Sequence, residues 1–238
     1  MISTIIFDLG GVLLDIDLIY CMRQMQALGI DLEAFEKQGM QTPSNTKAAV
    51  LGEGIVANGA THLYQTGDIS TEEFLEGVRR YCHEGTTREQ VLAAWNTCCI
   101  DIPQYRLDKL RELKQRGYTI CLLSNTNEAH WQKIVKKCFG GEDAADRLPV
   151  DQYFDHIFLS QEMHMAKPND DIYLEVLRQI DAKAEECLFI DDSSANLEAA
   201  AALGIHTLHA ETSKTKEGKV VERPEREWKD EIEKELQR

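Results

Sequence analysis

The chain has 238 residues, 43% hydrophobic and 28% charged, enough apolar material for one large globular domain or for a core with a smaller insertion. No apolar run approaches the roughly 20 residues that span a bilayer, which excludes a membrane-spanning class. Lys and Arg total 26 against 41 Asp and Glu, a net charge of −15, and such a surface repels nucleic acid and other polyanions.

The N-terminal MISTIIFDLGGVLLD has no basic leader, and Asp8 interrupts its apolar stretch. It reads as a buried strand rather than a signal peptide. Further apolar runs lie at 119–123, before Ser124, and at 187–190, before Asp191. Two more candidates are 156–159, before Ser160, and 206–209, after the Gly204 break. Short runs that are apolar on both faces suit central strands of a parallel sheet. Helical patterns lie between them at 107–116, 172–180 and 195–203. The first carries Leu107, Leu110 and Leu113 on one face and stops at Gly117.

This alternation predicts an α/β fold, a doubly wound parallel sheet. Ligands of such sheets bind at the carboxyl ends of the strands, where Asp8, Ser124 and Asp191 fall. Residues 17–100 break the alternation and read as helices only, at 18–28, 71–82 and 88–95, with Ser70 or Thr71 capping the second. This block is expected to be an inserted helical cap, with a long loop over 38–59. Core segments 1–16 and 101–210 and a charged tail, 211–238, complete the expected organisation. Within the tail, 225–237 suits a helix that docks through Trp228, Ile232 and Leu236. The seven cysteines, odd in number and without C-x-x-C spacing, suit reduced thiols and a cytoplasmic location. Cys98 and Cys99 form an adjacent pair open to oxidation.

Four features at strand ends or in the loops that follow them offer chemistry. Asp8 precedes Gly10 and Gly11, so a carboxylate nucleophile would stand beside a tight turn whose N–H groups can face an anion; alone, such an acid usually caps a turn. Ser124 and Asn125 can donate to phosphate oxygens, although the same residues commonly start a helix. Lys167 can offset negative charge near a phosphorylated carboxylate, although most lysines are simply solvated. Asp191 and Asp192 are adjacent acids whose repulsion a cation would relieve, and Mg²⁺ favours such oxygen ligands.

In this order the four motifs resemble the haloacid dehalogenase-like hydrolase superfamily, in the subfamily with a helical cap between the first and second motifs. FDLGGVLLD matches the nucleophile motif, LLSNTN the second, AKP the third and FIDDSSANLEAA the fourth. The resemblance covers residues 1–210. In detail the chain is similar to sugar-phosphate phosphatases of the alpha-glucose-1-phosphatase type, through DID (Asp15, Asp17) and LSNTNxxH (His130). It implies a Rossmann-like core, Mg²⁺ as cofactor and a small phosphorylated metabolite as substrate. It further implies that Asp8 attacks phosphorus, and that Asp8, the Gly10 carbonyl and one or both of Asp191 and Asp192 hold the metal. Ser124 and Asn125 would bind phosphoryl oxygens, and Lys167 would neutralise charge.

One departure matters. Most phosphatases of this superfamily carry a second Asp, the general acid and base, where this chain has Gly10. Such assistance is typically worth 10²–10⁴-fold. Asp15, Asp17 or a cap residue could replace it, with Asp15 the weakest choice. His130 and His164 lie near motifs and read as satisfied or surface histidines. Two other readings compete: a phospho-ligand-binding or regulatory protein without turnover, and a metal-free dehalogenase-type hydrolase. The Asp191–Asp192 pair argues against the second.

Overall fold

The computed structural model describes residues 1–30, 59–141, 144 and 146–237; the loop expected over 38–59 lies, apart from its last residue, outside them. The strands are β1 (Thr4–Phe7), β2 (Asp15–Ile16), β3 (Cys99–Asp101), β4 (Thr119–Ser124), β5 (His156–Leu159), β6 (Cys187–Asp191), β7 (His206–His209), β8 (Lys214–Lys216) and β9 (Lys219–Glu222). The three apolar runs and the two further candidates form one parallel sheet in the order β5-β4-β1-β6-β7. From β1 the chain builds outward to β4 and β5, then crosses back to place β6 on the other side of β1. The order reverses beside β1, and an open α/β sheet presents its binding crevice at such a point.

Side chains alternate across the sheet as a pleated strand requires. Ile5, Phe7, Ile120, Leu122, Leu188 and Ile190 join one core cluster, and Ile6, Cys121, Leu123, Cys187 and Phe189 the other. The helix Gln104–Gln115 covers the first face with Leu107, Leu110 and Leu113, all fully buried. Asp170–Gln179 and Ser194–Ala202 cover the second. Gly117 follows the first helix at φ +92°, a left-handed stop.

Between β2 and β3 the described residues form only helices: Leu18–Ala27, Ala60–Gln65, Thr71–Arg79, Arg88–Trp95 and the short 3₁₀ turn Asn96–Cys98. Ser70 caps the third of these in a capping box with Glu73. β2 and β3, which the apolar pattern does not reveal, pair antiparallel at the base of this block. The tail helix runs over Trp228–Leu236, with Trp228 and Ile232 buried and Leu236 partly buried against the core. The tail also holds the hairpin β8–β9, whose turn residues Glu217 and Gly218 both have positive φ, as a tight two-residue turn demands.

A buried ion cluster ties these parts together. Arg106, 1% exposed, donates through Nη1 to Asp15 Oδ1 at 3.0 Å and through Nη2 to Glu227 Oε1 at 2.9 Å. Arg223 approaches Asp15 Oδ2 at 2.8 Å. Removing one partner of a buried pair leaves uncompensated charge. Arg106→Met is therefore expected to lower stability by about 3–5 kcal/mol in chemical denaturation; a loss under about 1 kcal/mol would contradict this reading.

Candidate active site

Parallel pairing sets Phe7 beside Leu122 on one side and Ile190 on the other. The next residues of the three strands, Asp8, Leu123 and Asp191, therefore emerge together at the carboxyl edge. The Asp8 N–H still donates to Ile190 O at 2.9 Å, so the nucleophile candidate is fixed by the sheet. Lys167 arrives from the segment after β5. Its ammonium donates to Asp8 Oδ1 at 2.6 Å, Asp191 Oδ2 at 2.7 Å and Leu123 O at 3.0 Å, above the ring of Phe189. All three charged groups are buried.

The backbone of Lys167 is held as firmly as its tip. Asn125 Nδ2 donates to Lys167 O at 2.8 Å, and the Lys167 N–H donates to Asn125 Oδ1 at 2.9 Å. The amide of Asn125 thus clamps a residue 42 positions away. No spacing in the sequence announces this task of the side chain. Ser124 ends β4, buried beside Asn125.

Asp191 and Asp192 divide their work. Asp191 is fully buried, and its oxygens accept from Lys167, from the Ser193 N–H at 2.8 Å and from Asn196 Nδ2 at 3.1 Å. Asp192 is only partly buried. Asp8, Asp191 and Asp192 each offer a carboxylate oxygen, and the three lie within 4.8 Å of one another. Burial pushes the Asp8 carboxyl up to about 7, with Lys167 pulling down and Asp191 and Asp192 adding to the rise. Burial, then Asp191, raises Asp192 to about 6. Burial would lower the Lys167 ammonium, but Asp191 and Asp8 outweigh it and hold the group above the usual lysine range.

Three acids around one ammonium leave negative charge unbalanced, and that is the environment a hard divalent cation relieves. All three donors are oxygens, the set that Mg²⁺ prefers. The turn after Asp8 leaves no slack on this side. Gly11 has φ +82°, and a Cβ there would stand 2.3 Å from Asp192 Oδ2. At Gly10 a Cβ would meet only Ile16, at 3.6 Å.

The residues weighed as substitute acids are engaged elsewhere. Asp15 is paired with Arg106 and Arg223 and accepts from Ser213 Oγ at 2.9 Å. Asp17 caps the helix Leu18–Ala27 and accepts from the Gly218 N–H at 3.0 Å. His130 is satisfied: its ring stacks on Trp95, Nδ1 lies 3.1 Å from Asn127 Nδ2, and Nε2 lies 3.2 Å from Trp95 O. Because Asn127 Oδ1 accepts from the His130 N–H, the amide offers its NH₂ to Nδ1, which fixes the proton on Nε2. Burial holds this imidazole down at about 4, so it is neutral. Cys98 and Cys99 bring their sulfurs within 3.5 Å of each other near this ring, and both are free thiols. His164 Nδ1 lies 2.8 Å from Thr66 O, one of several ties between the helical block and the loops of the sheet. Tyr64 OH accepts from the Ala129 N–H at 3.1 Å, and Ser160 Oγ donates to Gln65 O at 2.6 Å.

A family model described as haloacid dehalogenase-like hydrolase matches residues 2–204. The D-ribitol-5-phosphate phosphatase of Bacteroides thetaiotaomicron is 27% identical over 211 residues, which cover 89% of this chain and 93% of that protein. The crystal structure of a HAD family enzyme from the same organism, in complex with magnesium and inorganic phosphate, is similar with a TM-score of 0.74 at 31% identity, covering 90% of this chain and 97% of that one. A HAD-like family hydrolase from Porphyromonas gingivalis gives a TM-score of 0.75 at 28% identity, covering 100% of this chain and 99% of the other.

The two glycines of the turn should respond differently to a methyl group. Gly11→Ala is expected to destabilise the fold by at least about 1–2 kcal/mol for its left-handed backbone alone, whereas Gly10→Ala should stay within about 0.5 kcal/mol. Denaturant unfolding of both variants checks this, and equal losses would refute the distinction.

Proposed function

The chain belongs to the haloacid dehalogenase-like hydrolase family, and from that premise we propose that it is a Mg²⁺-dependent phosphatase of a small phosphorylated metabolite, with Asp8 as nucleophile. One observation carries this reading: Asp8 is locked by Lys167 beside Asp191 and Asp192, with an oxygen of each acid within 4.8 Å of the others. The likeness to a ribitol phosphate phosphatase and to an enzyme holding magnesium and phosphate supports it. Asp8, the Gly10 carbonyl and Asp192, with or without Asp191, would hold Mg²⁺. When bound, the cation neutralises the charge that builds between carboxylate and phosphoryl oxygens.

The residues of the chain then have distinct tasks. Lys167 holds Asp8 Oδ1, which leaves Oδ2 to attack phosphorus in line with the ester oxygen. The phosphorus–oxygen ester bond breaks as the aspartyl phosphate forms. The Ser124 hydroxyl and the Asn125 N–H hold the phosphoryl oxygens, and water then releases phosphate and restores Asp8. With Gly10 lacking a carboxyl and both Asp15 and Asp17 engaged elsewhere, the proton for the leaving oxygen falls to water or to a group of the helical block. That favours substrates with good leaving groups.

The helical block, residues 17–100, acts as a cap over a core of 1–16 and 101–210, and substrate choice belongs to it. Its ties to the loops after β4 and β5 support this division. The tail, 211–238, completes the organisation. The seven free thiols, six of them buried, support a reducing, cytoplasmic setting, and the charge of −15 supports a small-molecule substrate over nucleic acid. Among the described residues no helix is long and apolar enough to cross a membrane.

Gly10 also favours a second reading, a phospho-ligand-binding protein that does not turn over; in that case Asp8 would never become phosphorylated. Asp8→Asn is expected to abolish Mg²⁺-dependent phosphate release from a chromogenic phosphate ester, by a factor of about 10³ or more, with circular dichroism unchanged. A fully active Asp8→Asn protein would overturn the nucleophile assignment. Gly10→Asp, for which the backbone has room, should accelerate esters with poor leaving groups more than those with good ones, by up to about 10²-fold. Equal effects on both would reject the missing acid as the limit on rate.

A further inference from the structure

The family match ends at residue 204, yet the segment beyond it closes on the turn that follows Asp8. This turn is bonded to itself. Leu13 and Leu14 donate their N–H groups to Leu9 O at 3.0 and 2.7 Å, and the Gly11 N–H donates to Leu14 O at 2.9 Å. Two further carbonyls of the same turn, on fully buried residues, are met from outside. Trp228 Nε1 donates to Val12 O at 3.1 Å, and Arg106 Nη1 donates to Leu13 O at 3.0 Å. Trp228 also meets Phe7, the residue before Asp8, edge to face with ring centroids 4.9 Å apart. Arg106 is held from its other side by Glu227. The tail therefore grips both ends of the nucleophile turn.

Position matters here because the inner side of the turn is already in contact. A Cβ at Gly11 would stand 2.3 Å from Asp192 Oδ2, so the backbone lies directly against that carboxylate. Asp8 itself is held by the sheet, so a shift of the turn would move Gly11, and the Gly10 carbonyl beside it, against Asp192. Without Trp228 Nε1 the buried Val12 carbonyl would lack this donor, and the turn would be drawn toward another partner. Rigid outer support of this kind is what sets the geometry of ligands they do not themselves provide.

We propose that Trp228, with Glu227 acting through Arg106, is a positioning residue that holds the turn after Asp8 in register with Asp192, so that the C-terminal segment sets the affinity of the site for its divalent cation. This rests on the phosphatase reading for the identity of the cation.

The test uses the full chain as wild type, Trp228→Phe, Glu227→Ala and, as a control on the same segment, Val221→Ser, whose side chain is exposed. Two quantities are read across a Mg²⁺ titration: the shift in thermal unfolding midpoint, and the rate of phosphate release from p-nitrophenyl phosphate. Trp228→Phe keeps a ring against Phe7 but removes the N–H. It is expected to need on the order of tenfold more Mg²⁺ for half its effect in both measurements, and Glu227→Ala is expected to shift in the same direction. The ester KM at saturating Mg²⁺ should change less than about twofold, and Val221→Ser should behave as wild type. A purely structural role would lower the unfolding midpoint and leave the Mg²⁺ half-saturation untouched. That result in a folded Trp228→Phe protein overturns the proposal; if Trp228→Phe does not fold, the same result in Glu227→Ala does so. A wild-type protein with neither a Mg²⁺ shift nor phosphate release would instead overturn the phosphatase reading, and the proposal with it.

Discussion

One ammonium between two carboxylates organises this molecule. Lys167 reaches Asp8 and Asp191 at 2.6 and 2.7 Å in a buried setting, and a third acid, Asp192, stands close by. A single positive charge cannot balance three negative ones. Burial raises the carboxyls of Asp8 and Asp192, and the neighbouring acids add to the rise. A divalent cation relieves the excess negative charge and leaves all three acids ionised, as the proposed attack by Asp8 requires. The same charges explain why the lysine must be clamped at both ends, by Asn125 at its backbone and by the acids at its tip. A mobile lysine would leave Asp8 and Asp191 to repel each other.

The sheet gathers these groups from distant parts of the chain. Asp8 follows β1, Asp191 ends β6, and the Asn125 that steadies Lys167 follows β4, with β6 and β4 the strands on either side of β1. Because parallel strands share one direction, their carboxyl ends share one edge. The helical block then braces the second loop from above, with Tyr64 accepting from the Ala129 N–H and Trp95 donating to Asn127 and stacking on the neutral His130, and the tail braces the first from behind. The turn after Asp8 is thus held between Asp192 inside and Trp228 outside, and a glycine at position 11 is what allows the inner contact.

Much of this was legible in the sequence, for a definite reason. Strands buried on both faces must be apolar, so the central strands β1, β4 and β6 stand out as runs that end at polar residues, whereas the edge strands β5 and β7 are partly exposed and mixed in composition. Leu107, Leu110 and Leu113 mark their helix face by period. What escaped reading depends on long-range pairing. β2 and β3 are two and three residues long and join positions 15–16 to 99–101, too short for any pattern. The β8–β9 hairpin is charged on most positions, so no apolar pattern marks it. The tasks of Asp15 and Asp17 as ion partner and helix cap, and of Asn125 as a clamp on Lys167, follow from contacts across 42 residues or more, except for the local cap bond of Asp17. The docking of Trp228 was legible from helical spacing; its hydrogen bond to Val12 O was not.

The central claim is that a divalent cation completes the charge balance around Asp8. The most direct measurement is a crystal structure grown with Mn²⁺ in place of Mg²⁺ and with inorganic phosphate, using the anomalous signal of manganese to locate the ion. A single peak in contact with the carboxylates of Asp8 and Asp192, with phosphate lying between it and Ser124, is the expected result. A manganese peak elsewhere, or none while Lys167 alone spans Asp8 and Asp191, would contradict it.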